Sequence, residues 1–404
     1  MRDKLSLGLK LALAISTVAL LATSGWAALH EKVLHSFNSS TKDGYDPVGG
    51  LIFDVAGNLY GTTEGGGDYG FGTVFELTPK EDEGWTEKVL HSFNSNGKDG
   101  YNPYANLIFD AAGNLYGTTC NGGVYDHGTV FELTPKAGGR WAEKILHNFN
   151  NENGACSYAG LIFDSLGNLY GTVYAGGPKG GGAVFELVPT GNGKWIEKVV
   201  HAFNFDEDGG GYPEGGLIFD ADGNLYGATG NENAGLVFEL TPKTGGGWTE
   251  KVLHAFNVKD GSGPHSSPIF DSVGNLYDTT YVGGANGDGT VFELTPTTGG
   301  GWTEKVLHSF NGKDGIFCYA GLVFDAAGNL YGTVVEGGAY NHGTVFELTP
   351  QTGGGWTRKT LHNFNDKDGT YPWATLILDA TGNLYGTTTS GGDHGSGTVF
   401  EITP

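Results

Sequence analysis

Seven side chains stand at one recurring place in the chain, three residues before the first apolar position of a repeated Leu-Ile-Phe-Asp segment: Val48, Tyr104, Tyr158, Glu214, His265, Tyr319 and Trp373. Neighbouring columns of the repeat hold small residues, whereas this one varies, and a repeat that varies at one position is free to do something there. Tyr104, Tyr158, Tyr319 and Trp373 offer flat faces for stacking and polar tips for orientation, a combination suited to a carbohydrate or another small polar ligand. Glu214 and His265 come from consecutive repeats and are the candidates for an acid/base couple, the chemistry of a lyase or hydrolase. The plainer alternative makes all seven side chains wedges that seal an opening.

The elements that position these residues follow from the repeat. Phe-Asp-x-x-Gly-Asn-Leu-Tyr recurs at Phe53, Phe109, Phe163, Phe219, Phe270 and Phe324, and as Leu378-Asp379 in the seventh copy. Units begin at Glu31, Glu87, Glu143, Glu197, Glu250, Glu304 and Arg358, spaced 53 to 56 residues apart. Each holds four extended runs, in the second unit Glu87 to Asn94, Asn106 to Asp110, Leu115 to Thr119 and Thr129 to Thr134. Four strands per unit describe one propeller blade. Glycine, 73 of 404 residues, would ruin helices and is tolerated by short strands with tight turns, so the fold class is all-β.

Label the strands A to D from the inside of a blade outward. The chain then starts in a D strand and ends in a C strand, so the amino-terminal strand completes the last blade. The expected fold is a closed seven-bladed β-propeller of four antiparallel strands per blade over residues 28–404. The Trp that opens the D strand at 85, 141, 195, 248, 302 and 356 is replaced by Leu29 at the chain start. The A–B and C–D turns share one face and the longer D–A and B–C loops the other, which is where binding is expected.

The strings Gly113 to Thr119, Gly128 to Pro135 and Lys88 to Asn94, recurring together in order, resemble the bacterial GloVer tandem-repeat family over residues 31–404, and the Asp-x-x-Gly-Asn turn is similar to that of NHL propeller repeats. The resemblance implies an exported bacterial protein, secreted or periplasmic or associated with the cell surface, and carries no catalytic residues over.

Export is also read directly from Arg2, Lys4 and Lys10 followed by an apolar run from Leu11 to Ala22, which makes residues 1–27 a signal peptide. Its loss takes the net charge from −23 to −25, which excludes nucleic acid and anionic membrane surfaces as partners, and no other stretch is apolar enough to span a bilayer. The chain is expected to be a monomer. A protein-binding scaffold of the cell envelope, reading partners through the loop face, is a third functional reading.

Residues present in every unit are scaffold. His35, His91, His147, His201, His254, His308 and His362 fall in phase with Val and Phe on strand D and are expected to pack or make a local hydrogen bond. Glu132 and Lys144 illustrate a cross-strand charge pair. Tyr69, Tyr125, Tyr174, Tyr281 and Tyr340 of the B–C loops would extend the aromatic platform, while His127, His342 and His394 come from separated blades and are expected in solvent. No metal or other cofactor is expected as a working part; Asp43, Asp99, Asp314 and Asp368 are Asx turns first and calcium ligands second. Pro268 and Asp278, where other units have Leu and Gly, are read as drift in blade five. Of three cysteines, Cys120 and Cys156 are expected to form a disulfide with Cys318 free.

Overall fold

The A–B turn shows why the repeat folds as it does. In blade two Asp110 Oδ1 accepts the N–H groups of Ala112 and Asn114, and Oδ2 accepts Asn114 Nδ2 and the Tyr116 hydroxyl. Gly113 supplies the φ of 82° that closes the turn. Burial alone would raise the Asp110 carboxyl, but these hydrogen bonds outweigh it and hold it below the usual range. Asp110→Ala is expected to cost about 1–2 kcal/mol in urea unfolding, since several turn donors lose their acceptor together.

The computed structural model describes residues 30–81, 84–204, 210–231 and 234–404. The expected signal peptide, residues 1–27, and Leu29 lie outside the described residues. Strands form seven four-stranded antiparallel sheets, one per blade, of which blade two is Ile108–Phe109, Leu115–Thr119, Thr129–Lys136 and Arg140–Asn148. Blade seven takes its inner three strands from Ile377–Leu378, Leu384–Thr388 and Thr398–Thr403 and its outer strand from His30–Ser36, in register His30 with Thr403 through Ser36 with Thr398. The protein is a closed seven-bladed propeller. Among the described residues no helix is long and apolar enough to cross a membrane.

The core is divided into seven apolar clusters, one at each blade interface. Between blades one and two, Tyr60, Val74 and Phe93 pack on Leu107, Leu115, Phe131 and Leu133. Trp141, which opens the next D strand, lies 6.4 Å from the Tyr60 ring. A second set of joints is polar: the strand B threonines Thr62, Thr118, Thr172 and Thr279 each donate to a backbone carbonyl of the following blade, and Thr387 does so to Gly49 O across the ring closure. The Lys144–Glu132 contact at 3.5 Å recurs in five other blades at 3.0 to 4.0 Å. These pairs are half-exposed and contribute less than about 1 kcal/mol each.

Pro268 and Asp278 adjoin one another. In the other six blades a Cβ at the strand B glycine, for example Gly61, would meet a Phe Cζ at 2.6–2.7 Å and a Leu Cδ2 at 2.8–3.1 Å. Pro268 replaces that Leu, and the branch that would crowd a side chain at position 278 is gone.

Candidate functional site

One backbone device builds the mouth of the channel. Asp46, Asn102, Cys156, Tyr212, Gly263, Phe317 and Tyr371, two residues before the variable column, all adopt a left-handed φ of 53° to 64°. Six carry side chains, at a cost of order 1 kcal/mol each. The carbonyl of this residue accepts the N–H of Glu64, Cys120, Tyr174, Tyr281, Val335 or Thr389 in its own blade at 2.7–3.1 Å. A residue of each D–A loop is thereby fixed beside a residue of the B–C loop, and of these Asp46, Glu64, Val335, Tyr371 and Thr389 reach the axial cavity.

All seven column residues, Val48, Tyr104, Tyr158, Glu214, His265, Tyr319 and Trp373, line a single cavity of about 600 Å³ at this mouth. They are organised as two arcs. On one side the ring of His265 stacks on Tyr319 at 5.1 Å and 27°, and Tyr319 stacks on Trp373 at 4.1 Å and 17°. On the other, Tyr104 packs against Tyr158 at 5.1 Å, and the Tyr104 hydroxyl donates to Glu64 Oε1 at 2.8 Å. Burial, then the hydrogen bond and charge of Glu64, push the Tyr104 phenol well above its ordinary range. Tyr158 moves the same way through burial and the charges of Glu214 and Glu64, so both rings present protonated hydroxyls at every ordinary pH.

Glu214 and His265 meet: Nδ1 lies 2.9 Å from Glu214 Oε2, at the closed end of the stacked arc. The carboxylate oxygen stands off the N–H direction, so Nδ1 has no directed hydrogen bond, although the imidazole side chain is 92% buried. Beneath it, Asp278 is fully buried; its Oδ1 accepts the Ser266 hydroxyl and, at 2.8 Å, the N–H of Thr279, while Oδ2 has no partner. Burial pushes the Asp278 carboxyl up to about 7, against the opposing pull of Ser266, the Thr279 N–H and the nearby His265.

Several lining residues escaped the sequence reading: Asp46, Glu64, Glu336, Tyr371, Thr389 and Ser390. The signal for some was present, because the position just after the five-residue strand B segment reads Glu64, Cys120, Tyr174, Gly230, Tyr281, Val335 and Thr389 and varies as freely as the first column. Asp46, Glu64, Glu214 and Glu336 make the wall acidic, and among the described residues no Lys or Arg lines it. Burial and the charge of Glu64 raise the Asp46 carboxyl.

Of the loop tyrosines, Tyr174 and Tyr281 join the platform from behind, packing on Tyr158 at 5.4 Å and on Tyr319 at 4.6 Å. Tyr69, Tyr125 and Tyr340 are 55–60% exposed on the outer surface and do not line the mouth. His127, His342 and His394 are not brought together; His342 Nδ1 lies 2.9 Å from Thr370 Oγ1 within its own interface. Cys120 is disulfide-bonded to Cys156, tying the B–C loop of blade two to the loop entering blade three, and Cys318 is a buried thiol. The strand D histidines pack edge-on against the Phe two residues on, at 4.6–4.9 Å. Asp43, Asp314 and Asp368 accept N–H groups of their own loops, as Asx turns do.

Comparison with known proteins bears on the fold more than on the cavity. The family model described as the Gloeobacter/Verrucomicrobia repeat matches residues 23–234 and 228–404. No curated protein matches the chain. Among solved structures, a protein from Lactobacillus plantarum is similar at 16% identity with a TM-score of 0.55, covering 86% of this chain and 99% of that one. A chain of the mitotic checkpoint complex is similar at 11% identity with a TM-score of 0.54, covering 99% of each. At such identities the likeness is one of fold alone.

Proposed function

The chain belongs to the Gloeobacter/Verrucomicrobia repeat family, and from that premise we propose that it is an exported, monomeric, non-catalytic binding propeller holding a carbohydrate or similar polar ligand at its channel mouth. The observation that carries the reading is the convergence of the whole variable column on one cavity, with His265, Tyr319 and Trp373 stacked as one aromatic column in its wall. Sugars pack their C–H groups against aromatic side chains while carboxylates accept their hydroxyls. The acidic lining, without Lys or Arg, favours neutral saccharides and repels uronates and phosphates. Export rests on the basic and apolar pattern of residues 1–22.

Neutral oligosaccharides screened on a glycan array and then titrated calorimetrically are expected to find a ligand whose affinity falls at least tenfold in Trp373→Ala combined with Tyr104→Ala, with Tm little changed. Binding that survives the double substitution intact removes the mouth from consideration.

One observation favours a second reading, in which Glu214 and His265 act as an acid/base couple: their 2.9 Å contact in a wall where His265 Nδ1 has no directed hydrogen bond. Turnover of a bound saccharide that is abolished by Glu214→Gln, with binding retained, would replace the first reading by this one.

A further inference from the structure

At the outer rim, far along each sheet from the mouth, the blade interfaces repeat a different constellation. The strand D histidine of one blade, the aspartate of the loop that follows it and the strand D glutamate of the next blade converge, as His91, Asp99 and Glu143 do between blades one and two. His254, Asp260 and Glu304 repeat it between blades four and five, and His362, Asp368 and Glu31 between blades six and seven. We propose that these interfaces are binding sites for a divalent transition-metal cation of the zinc type, with His91, Asp99 and Glu143 the best formed.

Three observations carry this. First, His91 Nε2, Asp99 Oδ1 and Glu143 Oε1 are all buried and none has a hydrogen-bond partner, while Asp99 as a whole is only 8% exposed. Buried polar atoms without partners cost several kcal/mol together unless something positive joins them, and one ligand atom of each of the three residues lies within 4.8 Å of the others. Second, the spacing suits a metal better than a hydrogen bond. Nε2 lies 3.4 Å from Asp99 Oδ2 and 3.5 Å from Glu143 Oε1, whereas tetrahedral zinc ligands with bonds of about 2.0–2.1 Å stand about 3.3 Å apart. Third, one interface carries its own cation. Between blades five and six the glutamate is replaced by Arg358, whose guanidinium donates to Asp314 O at 2.5 Å and lies 5.8 Å from the Phe310 ring centroid.

The geometry also provides orientation and access. Phe93 holds the His91 ring edge-on at 4.7 Å, and Asp99 Oδ2 accepts the Asn94 N–H at 3.0 Å, so two ligands are fixed by other contacts. His91 and Asp99 form part of the wall of a surface recess of about 520 Å³, through which an ion reaches them. Calcium, which takes about six to eight oxygens, is a poorer match to three donors of which one is a ring nitrogen.

The test uses the untagged chain stripped with EDTA and titrated with zinc chloride, with calcium chloride in parallel, reading bound metal by elemental analysis, affinity by calorimetry and Tm by circular dichroism. Wild type is expected to take up to three equivalents of zinc, one per cluster, at micromolar or tighter affinity, with a rise in Tm. Glu143→Gln keeps the shape of a neutral glutamic acid and is expected to lose one equivalent; His91→Asn is expected to lose the same one. The proposal is overturned if wild type binds no zinc below about 1 mM, if uptake is unchanged in both variants, or if calcium and not zinc binds and stabilises.

Discussion

A chain lacking residues 30–37 is expected to lose the cooperative unfolding transition of the full propeller, or to keep it with a Tm lower by more than 15 °C. The segment supplies the outer strand of blade seven, six residues of which pair with Thr398–Thr403. It also supplies Leu34 and the fully buried Phe37 to the cluster made with Leu51, Leu59, Phe75, Tyr385 and Val399. Removing a buried phenylalanine costs about 3–5 kcal/mol and a buried leucine about 2–5 kcal/mol. Together these match the whole stability of an ordinary domain, about 5–15 kcal/mol, before the exposed strand edge is counted. Thermal melts of the truncated chain, with and without a synthetic peptide spanning residues 30–38, read the effect directly. A melt unchanged by the deletion would mean that this strand does not close the ring.

The second large effect concerns blade five. Restoring the pattern of the other blades with Pro268→Leu and Asp278→Gly together is expected to stabilise the protein at pH 8 by roughly 2–4 kcal/mol, because it removes a fully buried carboxylate with one unpartnered oxygen and refills the space with a leucine. Pro268→Leu alone is expected to destabilise by about 1–3 kcal/mol, since the new Cδ2 meets the Asp278 side chain. The two changes should therefore be strongly non-additive.

The pH dependence follows from the same carboxyl. Asp278 has its folded-state value raised from 3.8 to about 7, so the native state holds its proton more tightly than the unfolded chain does. Its contribution is favourable below about pH 4 and is lost as pH rises toward 7, which makes the gain of the double variant larger at pH 8 than at pH 4.5. Urea denaturation at the two pH values measures this, and a gain independent of pH would refute the assignment.

The sequence was most legible where seven copies say the same thing. Periodicity dictates the strands, the fragments at either end dictate how the ring closes, and the column from Val48 to Trp373 is aligned by counting alone, which is why its members meet at one mouth. Residues brought together by backbone geometry were harder to see. Glu64 reaches the cavity because its N–H is held by the carbonyl of left-handed Asp46, and nothing in the residue types announces a positive φ at Tyr212, Phe317 or Tyr371. The rim constellations were hidden by their own regularity. Each histidine packs on a phenylalanine as scaffold should, and only the contact with a glutamate 52 residues further on, as from His91 to Glu143, shows that its ring nitrogen faces two carboxylates.

The outer strand of blade seven has a further consequence for assembly. Residues 31–36, 87–92 and 304–309 share the sequence Glu-Lys-Val-Leu-His-Ser, so the groove beside Thr398–Thr403 has little means of telling them apart by side chain. What selects the right segment is tethering: the strand that belongs there is delivered by its own polypeptide at high effective concentration. During refolding of a crowded sample the same groove is expected to accept the equivalent ribbon from another molecule, with exchanged dimers as the by-product of a ring whose clasp is a copy of its other links.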